Sequence, residues 1–294
     1  MDVFLQQLVD GLMWGALYGA FALSIVLVYR ASGIVNFAQG EMAMFSAFFA
    51  WQFHAWGAPL YLAVLGAMAV AFVGGAATER VLIRPLASSP NHMPLVIITL
   101  GLMLVLNSAA GWIWGVQSKE FPAIVSGPVL TLGPVAVSQQ SLVIVAAVVV
   151  VAALLFVLFQ RTKVGLAMRA AADNPDSAQL IGVPVGRMLM IGWGLAATIG
   201  ALAASLAAPQ LFLQPNMLVA SLIYSFAAAV LGGLDSPVGA LVGGLCVGVA
   251  ENLAGTYISW IGHDFKQAVA LALILGVLLL KPEGLFGARK VARV

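Results

Sequence analysis

Long apolar runs set the pattern of this chain, and short polar stretches divide them. Crossing a hydrocarbon core takes about 20 apolar residues in helix. Runs of that order at 11–29, 60–77, 94–114, 142–159, 189–208 and 268–280 each read as one span. Shorter apolar segments lie at 42–56 and 218–231, and the second resumes as far as 250 beyond a glycine-rich interruption. Two interruptions, ASGIVNFAQGE at 31–41 and GGLDSPVGALVGG at 232–244, are too polar or too rich in glycine for regular helix facing lipid. Residues 142–159 are strongly apolar and rich in Val, which predicts a lipid-facing helix.

The longest polar stretch is 161–187, RTKVGLAMRAAADNPDSAQLIGVPVGR. It carries local order. Asn174 is a helix N-cap, Pro175 suits the first helical position, and Asp176 complements the N-terminal dipole. Gly182 and Pro184 stop that helix, and 166–172 predicts a second short helix before it. Two short helices outside the hydrocarbon suit a docking surface for a soluble partner or a stiff connector.

Composition assigns the class. The 294 residues are 62% hydrophobic and 8% charged, against roughly 25% charged in soluble domains. The chain reads as an all-α polytopic membrane protein, one transmembrane domain over 1–294 with about eight or nine crossings. The basic excess of 161–187 places that loop in the cytoplasm. Alternation then puts Arg30, the Arg80/Arg84 loop and the tail from Lys281 on the same side, with Lys119 and Lys266 as exceptions. Asp2 and Asp10 fall outside. If 31–56 is re-entrant, the count becomes eight and the N-terminus moves inside. No basic residue precedes Arg30, so the first run reads as a retained span and not a signal peptide.

Small residues mark packing faces. Gly11, Gly15 and Gly19 lie four apart on one stripe, as do Gly192, Ala196, Gly200, Ala204 and Ala208, and such stripes let helices approach closely. Gly232, Gly233, Gly239 and Gly243 read as packing positions around an Asp235-Ser236-Pro237 turn that caps a following helix.

Several chemistries are missing. None of Lys119, Lys163, Lys266, Lys281 and Lys290 follows a glycine, so the Gly-Lys phosphate cradle of a P-loop is absent. His54, His92 and His263 are dispersed, which argues against a metal site. No Gly-x-Ser-x-Gly nucleophile pattern occurs. Cys246, the only cysteine, allows no internal disulfide. The net charge of +2 gives no reason to invoke nucleic acid. No catalytic residue, metal or cofactor is expected, and transport remains. Pathways form where helices break at depth, so 36–41 and 232–244 both qualify as elements that line or gate a path. Asn36, Gln39 and Glu41 are the candidate pathway residues, or alternatively cap a helix at the interface, and 232–244 reads rather as a turn with packing glycines. Glu251 and Asn252 read as interfacial, and Asn107 as an interhelical hydrogen bond.

Three ordered motifs carry a family resemblance. GIVNFAQGEM at 33–42, the segment 165–182 and AAVLGGLDSPVGALVGG at 228–244 resemble elements of the permease subunits of branched-chain amino-acid ABC importers, the LivH type. KPEGLFG at 281–287 is similar to the family's ending. Gln39 stands where the family usually has His, and Asp235 where it usually has Gly. The resemblance implies the ABC importer permease architecture, with a second homologous permease, two ATP-binding subunits in trans and a periplasmic substrate-binding protein, in a bacterial inner membrane. It also implies that 161–187 is the ATPase-coupling loop, through Arg169, Asn174, Pro175, Asp176, Ala178, Leu180 and Gly182. Family substrates include branched-chain and other neutral amino acids, urea and short amides. A rival reading is an autonomous secondary transporter or channel, which would need Glu41 or Glu251 as an ion-coupling carboxylate; another is a non-transporting scaffold.

Overall fold

The computed structural model describes residues 2–86, 93–258 and 265–287. His92 and His263 lie outside them. The helices are α1 Asp2–Ser32, α2 Gln39–Ala55, α3 Leu60–Thr78, α4 Met93–Trp114, α5 Gln139–Arg161, α6 Lys163–Asp173, α7 Pro175–Leu180, α8 Val185–Leu211, α9 Val219–Gly232, α10 Pro237–Tyr257 and α11 Lys266–Leu280. Among the described residues, six stretches are long and apolar enough to cross a membrane: α1, α3 extended to Leu86, α4, α5, α8 and α10. The shorter apolar helices α9 and α11 bring the number to eight. α2 would be the ninth; its 17 residues reach about 25 Å at 1.5 Å per residue, against roughly 30 Å of hydrocarbon.

The chain forms two compact units. The first takes Met1–Val26, Val125–Ala146 and Val219–Val294. Its core joins Tyr18, Ala22 and Val26 of α1 to Tyr224 and Ala227–Ala229 of α9 and to Ala240 and Val247 of α10. Gly11, Gly15 and Gly19 face α10 backbone to backbone. A Cβ on Gly15 would stand 2.8 Å from the carbonyl oxygen of Gly244, closer than van der Waals contact permits. Gly232 meets Gly239, and Gly243 meets the Ala228 carbonyl, so α9 and α10 touch in the same way.

The interruption expected over 232–244 is much shorter in the structure. α10 starts at Pro237, with Ser236 Oγ accepting the Gly239 N–H at 3.0 Å. Gly239 and Gly243 are therefore inside a helix: glycines that look like a break in sequence serve as its contact face. The turn itself needs Gly233, at φ +101, where an L side chain is strained. Residues 281–287 return to this turn, and the N–H groups of Leu285 and Phe286 donate to the carbonyls of Leu231 and Gly232 at 2.8 and 3.0 Å. They satisfy carbonyls that the end of α9 leaves open.

Glu251 differs from its expected interfacial place. α10 continues to Tyr257, so Glu251 lies within the helix and is buried. Tyr18 Oη donates to its Oε2 at 2.9 Å, and Tyr18 stacks on Tyr224 with ring centroids 4.8 Å apart. A strand pair, β1 Leu130–Leu132 with β2 Val135–Val137, lies in the long loop before α5 and was not expected. The Gln6 amide pairs with it, accepting from Ala136 N–H at 2.8 Å and donating to Ala136 O at 3.0 Å.

The second unit takes Leu27–Ile124 and Ala147–Leu218. α2, α3 and α8 form its center and α4 packs on α2. Small residues again set the spacing: a Cβ on Gly75 of α3 would stand 2.6 Å from the Trp193 carbonyl oxygen of α8. Beyond α3 the expected loop at Glu79–Arg84 is helical, a π turn over Glu79–Ile83 and a 3-10 turn over Arg84–Leu86. Glu79 is buried and bridged to Arg84 at 2.6 Å, and Arg84 also donates to the Gly186 carbonyl. That anchorage keeps the backbone wound. α5 is largely exposed, in keeping with a lipid-facing helix.

Candidate functional site

α1 stops at Ser32, and Gly33, at φ +70, turns the chain while its N–H donates to the Tyr29 carbonyl at 2.7 Å. The break then runs over 33–38, shorter than the expected stretch ending at Glu41. Asn36 is the reason α2 starts so early. Its Oδ1 accepts from the Ala38 N–H at 3.0 Å, and its Nδ2 donates to Gln39 Oε1 at 3.1 Å. Gln39 Nε2 in turn donates to the Ala196 carbonyl of α8 at 3.1 Å. Asn36 and Gln39 are 0% and 1% exposed, so these bonds offset the cost of burying two amides. Both side chains are spent within this chain, on holding the break against α8.

Glu41 lies in the first turn of α2 and is also buried. Its Oε2 accepts from Asn107 Nδ2 of α4 at 3.2 Å, and the same nitrogen donates to Asn216 Oδ1 at 2.8 Å. A polar thread thus leads from a buried carboxylate, through half-buried Asn107, to exposed Asn216. Asn216 has φ 69, a conformation Asn tolerates better than most residues. Its segment is held in place by Leu213, which pairs with Lys119 through two backbone hydrogen bonds of 2.8 and 3.0 Å. Nearby, Trp114 Nε1 donates to Gln52 Oε1 at 3.1 Å and its ring stacks on Phe48 at 5.0 Å, which fixes the end of α4 on α2.

The 161–187 segment is an ordered element. Thr162 caps α6 by accepting the Gly165 N–H at 3.0 Å. Asn174 caps α7 by accepting the Ser177 N–H at 2.9 Å, with Pro175 at the first helical position and Asp176 in the first turn. Gly182, at φ +86, reverses the chain, and the Val183 N–H closes on the Ala178 carbonyl at 2.9 Å. Met168, Ala171, Ala178, Val185 and Met188 form a small core under α6, α7 and the start of α8. This core corrects the expectation that Ala178 lies on a docking surface: it is 2% exposed, whereas Leu180 is 88% and Ile181 78% exposed. Arg169 also turns inward, with its Nε buried and without a hydrogen-bond partner.

The described residues contain no group of His, Cys, Asp and Glu able to hold a metal ion. The polar features are thus a clamped break beside a buried carboxylate, and a rigid two-helix loop. The family model described as branched-chain amino acid transport system / permease component matches residues 7–279. The chain belongs to that family. It is therefore a multi-pass membrane protein and a permease subunit of a transport system. Among its relatives, the high-affinity branched-chain amino acid transport system permease protein BraD of Pseudomonas aeruginosa is 30% identical, covering 99% of this chain and 98% of BraD. The high-affinity branched-chain amino acid transport system permease protein LivH of Escherichia coli is 28% identical, covering 99% of this chain and 98% of LivH. The probable branched-chain amino acid transport permease protein LivH of Methanocaldococcus jannaschii is 27% identical over 97% and 94%.

Three residues that hold these elements in place, Asn216, Glu79 and Arg84, carry little signal in the sequence. Asn216 followed an apolar run in a Gln214-Pro215-Asn216 turn, and that turn was its only signal. Glu79 and Arg84 were five apart in an assumed loop, where their pairing has no periodic signature.

Proposed function

We propose that this permease belongs to an ABC importer of branched-chain or related neutral amino acids in a bacterial inner membrane. A periplasmic binding protein delivers the substrate, a second homologous permease completes the path, and two separate ATPase subunits supply the energy. The match over 7–279 carries this reading, supported by relatives of nearly the same length whose names state that substrate class. The missing Gly-Lys cradle fits a chain that leaves ATP chemistry to other subunits. The break at 33–38 borders the path: Asn36 and Gln39 hold it on α8, and Glu41 with Asn107 and Asn216 gives it a polar side. α7 receives the ATPase, with Leu180 and Ile181 as its outer contact, and passes motion through the Ala178 core to α8.

The deciding experiment is uptake by the reconstituted complex against a panel of branched-chain and other neutral amino acids, urea and short amides. Uptake that needs ATP and binding protein and prefers a branched-chain amino acid supports the proposal. Uptake by the chain alone, driven by an ion gradient, would instead favor the secondary-transporter reading, with Glu41 or the buried Glu251 as coupling group.

A further inference from the structure

Two arginines line a groove for which the transport reading assigns no ligand. It is lined by Leu27, Arg30, Phe159, Met168, Arg169 and Met188, among others, and encloses about 370 Å³ counting its open mouth. Apart from the two guanidinium groups the walls are mostly apolar, and no acidic side chain lines it. Arg30 stands with its Cζ 6.0 Å from the center of the Phe159 ring. The Nε of Arg169 is buried without a partner, and its Nη1 comes no nearer than 3.5 Å to Gln160 Oε1, at the limit of a hydrogen bond. A buried donor left unpaired is costly, and an arginine fork is matched by the oxygens of a phosphate group.

The location selects the source of that phosphate. Arg30 is in the last turn of α1, Phe159 near the end of α5, and Met188 near the start of α8. All three mark ends of apolar spans, at the depth of lipid headgroups. Two cations in the wall of a mostly apolar groove suit a molecule with an anionic head and a hydrocarbon body. We infer that this groove binds the phosphate of an anionic phospholipid through Arg30 and Arg169, with the glycerol and upper acyl chain against Phe159 and Met188. The inference does not depend on the identity of the transported solute.

The test is native mass spectrometry of the full chain released from equimolar phosphatidylcholine and phosphatidylglycerol. Bound phosphatidylglycerol should fall about fivefold for each of Arg30→Gln and Arg169→Gln, in keeping with the worth of one basic residue at a membrane surface. Phosphatidylcholine should not change, and Arg169→Lys should retain part of the binding. Unchanged phosphatidylglycerol in both Gln variants would overturn the inference. So would displacement of the lipid by inorganic phosphate, which would mark a free-anion site. If a variant does not fold, the unmodified chain still decides, through phosphatidylglycerol with a photoreactive head. Adducts within 27–31, 159–172 and 188–189 support the groove, and adducts confined to other segments overturn it.

Discussion

Glu41 shows how much one buried side chain can organize. Its carboxylate accepts from Asn107, and through that amide it is linked to Asn216. Glu41→Gln keeps an acceptor oxygen in place, whereas Glu41→Leu leaves Asn107 without it. Asn107 keeps Asn216 as an acceptor, so the leucine variant should lose about 0.5–1.5 kcal/mol, the net worth of one hydrogen bond, and the glutamine variant less. Thermal unfolding of the purified chain in detergent would show the difference, and equal midpoints would mean the bond contributes nothing. A double-mutant cycle with Asn107→Leu isolates the pair. Two neighboring positions in α7 give a second contrast. Ala178→Glu places a charge in the small core and should destabilize the whole loop. Leu180→Asp changes a surface side chain, so insertion and folding should be unaltered while ATPase recruitment falls. If Leu180→Asp recruits and transports normally, α7 is not the receiving surface.

Helices were the legible level, because sustained apolar runs have only one satisfied form in lipid. The caps of α7 and α10 were legible as well: Asn174-Pro175-Asp176 and Ser236-Pro237 carry their hydrogen-bonding chemistry in the residue types. Breaks were harder to delimit. Gly239 and Gly243 weaken a helix by propensity and strengthen it by packing, and only the partner helix decides between the two. Glu251-Asn252 resembled a span end because the sequence does not reveal that Tyr18 lies opposite. For the candidate site, the sequence marked Asn36, Gln39, Glu41 and Asn107 but not Asn216, whose role depends on a loop more than a hundred residues from its partner. Glycine packing has a direct test. Gly15→Leu would drive a side chain into the Gly244–Leu245 backbone. Overpacking of this kind costs about 1–3 kcal/mol, and it should appear as lower yield of folded chain in detergent. Gly101 of α4 has open space where a Cβ would go, so Gly101→Ala is the matched control and should be tolerated.

For the whole molecule, the family assignment rests on a match over residues 7–279, and the proposed division of labor leaves ATP chemistry to other subunits. The purified permease, free of ATPase subunits, should neither bind nor hydrolyze ATP. Micromolar nucleotide binding by the isolated chain, measured by equilibrium dialysis, would contradict that expectation.

The close seam between α1 and α10 also has a genetic consequence. Any base change in a glycine codon that alters the residue installs at least a Cβ. Along Gly11, Gly15, Gly244 and Gly248 that atom would meet opposing backbone, which cannot rotate aside as a side chain can. These positions therefore have no conservative missense neighbor. Variation at the seam would have to come as paired changes that move one helix away from the other.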